Sequence, residues 1–172
     1  GTASDVSGAF SGGLQNTQTG AVTITDTGGT IAATVLSGIG SATDGVVTAA
    51  SGGITISGTA AEVTDALVTT ASLVVAGSAD VTITDTGSVA ATVLSAIGAK
   101  TGGVVTCSGA LTITGTTAEI TDALVTTNSL VVASTANVTF TDDPTGAELA
   151  AINPKTSGTI TLNAVSYTHL TL

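Results

Sequence analysis

Val22–Asp80 of this 172-residue chain returns, almost residue for residue, as Val81–Asn137. With two single-residue gaps about 40 of roughly 57 aligned positions are identical, and a third copy opens at Val138 with VTFTDDPTGAELAAI. Self-similarity at one period means that a single unit cannot bury its apolar face alone and must stack on its neighbours. The sequence therefore divides into a degenerate N-terminal cap, linker or cut copy (1–21), repeat 1 (22–80), repeat 2 (81–137), a partial repeat 3 (138–164) and a tail (165–172). Repetition constrains the architecture strongly and the chemistry weakly.

Each long repeat holds two related halves. The first opens with Val22-Thr23-Ile24-Thr25, returning as Val81-Thr82-Ile83-Thr84 and Val138-Thr139-Phe140-Thr141; the second opens with Ile54-Thr55-Ile56-Ser57 and Leu111-Thr112-Ile113-Thr114. Alternation with period two puts aliphatic side chains on one strand face and Thr on the other. A short helix is predicted behind each strand. Thr59-Ala60-Ala61-Glu62, Thr116-Thr117-Ala118-Glu119 and Thr145-Gly146-Ala147-Glu148 have the spacing of a capping box, in which the Thr hydroxyl and the Glu carboxylate each accept from an otherwise orphaned amide. Val63/Ala66/Leu67 and Ile120/Ala123/Leu124 give one helical stripe. Ile31/Val35/Leu36/Ile39 and Val89/Val93/Leu94/Ile97 give another, with Gly40 and Gly98 as its C-caps. Val46-Val47-Thr48, Leu73-Val74-Val75-Ala76, Val104-Val105-Thr106 and Leu130-Val131-Val132-Ala133 close the halves; as continuous apolar runs they are predicted to be buried on both faces.

Strands in a sheet lie about 4.8 Å apart, whereas packed helices need about 8–10 Å. Two strands per helix nearly reconcile those spacings. The predicted fold is an α/β repeat, solenoid-like, with short strands and helices alternating and a helix layer packed on a continuous sheet. The alternative is a right-handed parallel β-helix, against which the three capping boxes count.

Twelve acids against two Lys (Lys100, Lys155) leave a formal net charge of −10. No basic patch is available for nucleic acid or an anionic membrane, and no apolar run is long enough to span a bilayer. The apolar content is Val, Ile, Leu and Ala, with aromatics at 2%. One Cys excludes an internal disulfide framework.

The string VTITDTG…AATVLSAIG…TGGVVT…TAEITDALVTT…LVVA resembles the tandem repeats of very large adhesin-like surface proteins of bacteria, marine cyanobacteria among them. The resemblance covers nearly everything from Val22 to Ala164. It implies an extracellular or cell-surface array, a non-catalytic stalk, spacer or adhesive surface, partnered by further repeats of the same polypeptide. Val165–Leu172, VSYTHLTL, resembles instead a translated transposase sequencing adapter and is set aside from the fold, His169 with it.

Outside that tail the chain has no His and no Arg, so no enzyme is expected. Glu62, Glu119 and Glu148 are assigned to capping, and Asp65 and Asp122 to helix dipoles. Cys107, whose place in the earlier copy is held by Ala49 or Ala50, reads as a small buried filler. Asp26, Asp85 and Asp142, with Asp143 beside the last, recur after their strands. As stacked acids they could chelate Ca²⁺, although Gly58 and Gly115 occupy the same place in the other halves and favour a turn or N-cap role. Thr23/Thr25, Thr55/Ser57, Thr82/Thr84, Thr112/Thr114 and Thr139/Thr141 form a Thr-x-Thr ladder that resembles ice-binding β-solenoids. It is the candidate contact for ice, glycan or a protein partner; the plainer explanation is that Thr suits a strand face.

Overall fold

A computed structural model describes residues 1–12, 18–49, 53–69, 71, 73–107, 111–126 and 130–162; the adapter-like tail lies outside them. Strands and helices alternate along the chain, every described strand pair is parallel, and no sheet closes into a barrel. The elements are α1 (Ala3–Ser11), β1 (Val22–Thr23), β2 (Gly29–Ala32), α2 (Ala33–Ser41), β3 (Val47–Thr48) and β4 (Ile54–Gly58), then α3 (Ala60–Val63), which continues as a π-helical turn over Thr64–Val68. β5 (Val74–Val75), β6 (Asp80–Ile83), β7 (Ser88–Ala90), α4 (Ala91–Gly98), β8 (Val105–Cys107) and β9 (Thr112–Gly115) follow. The described chain ends with α5 (Thr117–Leu124), β10 (Val131–Val132), β11 (Asn137–Phe140), α6 (Gly146–Ile152) and β12 (Ile160–Thr161).

The strands belong to three sheets, ordered β1-β3-β5, β10-β8-β6-β4-β2 and β12-β11-β9-β7, rather than to the one continuous sheet expected. Register explains the division. Ile31 pairs with Ile56, Ile56 with Val81, Val81 with Val105 and Val105 with Val131, so neighbouring strands lie about 25 residues apart. The sequence copies are instead offset by about 57 residues, some seven more than two such steps. Seven residues are one short strand and its corner. The surplus strand is the VTIT segment: β6 pairs with β4, which precedes a helix, on one side and with β8, which follows one, on the other. β11 repeats this between β9 and β12. Helices among the described residues also set aside the all-β alternative.

One apolar core runs through the molecule, built from Ile31, Ile56, Val81 and Val105 on strands and Leu36, Leu67, Leu94 and Leu124 on helices. Burying each such side chain contributes about 1.5–3 kcal/mol. Three sequence expectations change. Ile31 and Val89 lie in β2 and β7, because these strands run straight into helices beginning at Ala33 and Ala91. Gly40 and Gly98 are buried helical positions, not left-handed caps. The strands that follow helices bury only one face: Val47, Val74, Val105 and Val131 point inward, while Val46, Val75, Val104 and Val132 are 42–49% exposed. Their neighbours Leu73 and Leu130 have φ of 52° and are also exposed, a backbone conformation costing an L residue about 1–2 kcal/mol. Among the described residues no helix is long and apolar enough to cross a membrane.

Candidate functional site

The carboxylates singled out for calcium sit against helix N-termini. Asp26 Oδ2 accepts from the Ala3 amide at 2.7 Å, Asp85 Oδ2 from the Ala60 amide at 2.6 Å, and Asp142 Oδ1 from the Thr117 amide at 2.8 Å. Asp142 Oδ1 also accepts from the Thr117 hydroxyl at 2.7 Å. Each amide belongs to the first residue of α1, α3 or α5, and each Asp comes from the strand-turn 23 or 25 residues further on. The first four amides of a helix lack internal partners and attract negative charge. Each Asp thus ties one turn of chain to the helix before it.

The capping boxes complete these termini. The Thr59 amide donates to Glu62 Oε2 at 2.8 Å and the Glu62 amide to Thr59 Oγ1 at 3.3 Å, with the same reciprocal pairs at Thr116/Glu119 and Thr145/Glu148. At α1, which opens with Thr2-Ala3-Ser4-Asp5, the shorter Asp5 stands in the Glu place and accepts from the Thr2 hydroxyl at 2.6 Å. The Glu side chains also explain the glycines at the places equivalent to Asp26 and Asp85. A Cβ on Gly58 or Gly115 would come within 3.0 Å of the Glu62, or 2.9 Å of the Glu119, carboxylate. Glu148, held by the Thr145 hydroxyl and backbone amide, has its pKa lowered from the ordinary carboxylate value. Asp143 is exposed beside Asp142. Among the described residues no group of three or more His, Cys, Asp or Glu side chains is placed to hold a metal ion.

The Thr ladder is divided by the sheet boundaries. Thr23 pairs with Thr48 and then Val75 in the first sheet. In the second, Ala32, Ser57, Thr82, Thr106 and Val132 form one row, and Thr55 stands between Thr30 and Asp80. In the third, Thr114 pairs with Thr139 and Thr139 with Thr161, while Thr112 pairs with Asn137. Thr25, Thr84 and Thr141 lie beyond the strand ends and are exposed, their amides donating to the Gly1, Gly58 and Gly115 carbonyls. The outward rows therefore mix hydroxyls with Val, an acid and an amide.

Two equivalent clefts flank the Asp ties. One, of ≈390 Å³, is lined by Ala60, Thr64, Asp65, Asp85, Ser88 and Val93; the other, of ≈280 Å³, by Ala3, Ser7, Asp26, Thr30 and Val35. In the first, the buried Thr64 Oγ1 has no hydrogen-bond partner, an uncommon condition for a buried hydroxyl.

Sequence reasoning missed a third recurring device. Thr43, Thr101 and Thr156 each send a hydroxyl to a carbonyl about 22 residues earlier (Gly20 at 3.0 Å, Ala79 and Ala136) and accept from the amide of Gly45, Gly103 or Gly158. A Cβ on those glycines would fall 2.2–2.3 Å from the same carbonyl oxygens, so the chain closes only with Gly there. The threefold Thr-x-Gly before a strand was its readable signal. Asp80 and Asn137 add a related tie, their side-chain oxygens accepting from the Val104 and Thr159 amides at 2.8 Å.

Cys107 is buried in β8, in the place of Ala49. Burial, and secondarily the Asp85 charge, push its thiol up to about 12, which favours the protonated form at neutral pH. No family model matches this chain, and neither a curated protein nor a solved structure matches it.

Proposed function

We propose that this chain is a non-catalytic segment of a large extracellular repeat protein, a solenoid-like stalk, spacer or adhesive surface resembling the arrays of bacterial adhesin-like proteins. One observation carries the reading. Residues that match between the sequence copies make matching ties to the turn before them: Asp26, Asp85 and Asp142 to a helix amide, Thr43, Thr101 and Thr156 to a carbonyl. Contacts that recur at each step suit a chain that lengthens by adding copies. Inserting one more Val81–Asn137 copy should raise both the unfolding free energy and its denaturant dependence, since more surface is buried cooperatively. An unchanged denaturant dependence would mean that the copies fold as independent bodies and would sink the reading.

A second reading, a binding module, is favoured by the aligned outward rows Ser57-Thr82-Thr106 and Thr114-Thr139-Thr161 and by the twin Asp-lined clefts. Ice and calcium are its testable versions. Thermal hysteresis, or a rise in melting temperature on adding calcium to chelator-treated protein, supports it; no response in either assay removes those two ligands.

A further inference from the structure

β7 has an open edge in the middle of the molecule, where repeat 2 follows repeat 1. It pairs with β9 and with no other strand among the described residues, because β6 has taken the place on β4. The Gly87 carbonyl accepts from the Thr112 amide at 2.9 Å and Val89 lies opposite Ile113, so alternation along the strand turns the Ser88 and Ala90 amides away from β9. On that side the chain offers the first turns of α3 instead of a strand. The ≈390 Å³ cleft separates the two, lined by Ser88 and Ala90 of β7, by Ala60 and Thr64 of the α3 segment, and by Asp65 and Asp85. β2 and α1 frame the second cleft in the same way. Thr30 and Ala32 hold the places of Ser88 and Ala90, and Ala3 and Ser7 those of Ala60 and Thr64, while Gly8 stands in the place of Asp65.

An edge strand with a groove beside it can hold an extended peptide, whose main chain adds a strand while alternate side chains fill the groove. We propose that the cleft between β7 and α3, and its counterpart between β2 and α1, takes an extended basic segment of a partner protein as an added strand. Three residues of β7 offer about 10 Å of ladder. The space beside Ala60 and Val93 suits small aliphatic side chains. Asp65 and Asp85, in a chain of twelve acids and two Lys, favour Lys or Arg at the alternate positions and disfavour a second copy of this chain. One cleft per repeat lets an array hold several such segments at once, so weak single contacts add up. The peptide site rests on the binding-module reading of the clefts and deepens it; the stalk reading does not depend on it.

The probe is an end-capped Lys-Val-Lys-Val-Lys-Val peptide, titrated into the full chain and followed by amide NMR shifts. Saturable binding with a Kd on the order of 1 mM is expected, moving the Ser88, Ala90 and Thr30 amides most, with the β2 cleft the weaker site. The same peptide N-methylated at every residue keeps its charges and loses its amide donors, and should bind about ten-fold more weakly. Ser88→Pro removes one open-edge amide while the Val89 pairing with β9 remains, so it should suppress the shifts at β7 and spare those at Thr30. Asp65→Asn, at an exposed helix position, should bring the β7 site down to the affinity of the β2 site. No saturable shift by several millimolar peptide overturns the proposal. Equal affinity of the methylated peptide overturns it in favour of charge attraction alone, and shifts confined to another face overturn it too. Any of these alongside thermal hysteresis or a calcium response strikes the peptide site and leaves the binding-module reading standing.

Discussion

The odd and even helices solve the same packing problem with opposite chemistry. α3 and α5 begin in a complete capping box, receive an Asp from the next turn, and are followed by a left-handed Leu (Leu73, Leu130). α2 and α4 have Ala32 and Ala90 as N-caps, with no side-chain cap bond, run directly out of β2 and β7, and are followed by the Thr43 and Thr101 turns. Their N-cap residues, Ala32 and Ala90, are exposed strand ends with no side-chain acceptor, while the first helical residues, Ala33 and Ala91, are 0% exposed. Odd helices are thus joined to the next turn at their N-termini by carboxylates, and even helices at the turns after them by hydroxyls and close-packed glycines. α6 has a capping box at Thr145 together with the turn at Thr156, so the box is not confined to the odd helices.

The sharpest way to break the comparison is at the apolar anchors. Leu94→Ala in α4 should cost about 3 kcal/mol in chemical denaturation, because the cavity is sealed on all sides. Leu149→Ala at the open end of α6 should cost about half that, since part of its side chain already meets water. Equal losses would show that interior and end do not differ as described.

Next comes the even-helix turn. Gly103→Ala should destabilise by about 2 kcal/mol, the added methyl having to displace the Ala79 carbonyl, while Gly87→Ala, with open space around its Cβ, should cost far less. The odd-helix tie is weaker: Asp85→Ala should lose about 1.5 kcal/mol, the range of an N-cap removed. Asp85→Asn keeps an accepting oxygen and should lose less. If Asp85→Ala costs as much as Leu94→Ala, polar ties rather than burial hold the turns together.

The smallest effect is at Glu148. Its folded pKa lies below the ordinary value, so its contribution is complete above the unfolded carboxyl pKa, about 4.3, and is lost as pH falls through the folded value. An NMR titration of Glu148 should show a midpoint below that of an unstructured Glu. Thr145→Ala should bring it back toward normal.

Much of this was legible locally. The capping boxes depend on residues three apart, and the period-two strands on immediate neighbours, so Thr59/Glu62 and Ile54/Ile56 declared themselves without a fold. Asp85 meets the N-terminus of the helix before it, through an amide 25 residues away, and no window of sequence displays that partner. The Val46, Val75, Val104 and Val132 runs misled because composition cannot tell a strand covered twice from one covered once.

By itself the sequence determined the unit, its alternation of strand and helix, and the chemistry of its caps, since these are set by covalent neighbours and by which side chains avoid water. Only the tertiary structure decided which strand lies beside which. That choice depends on a 25-residue step between paired strands against a 57-residue sequence period, and the mismatch, absorbed by β6 and β11, divides the ladder of threonines among three sheets.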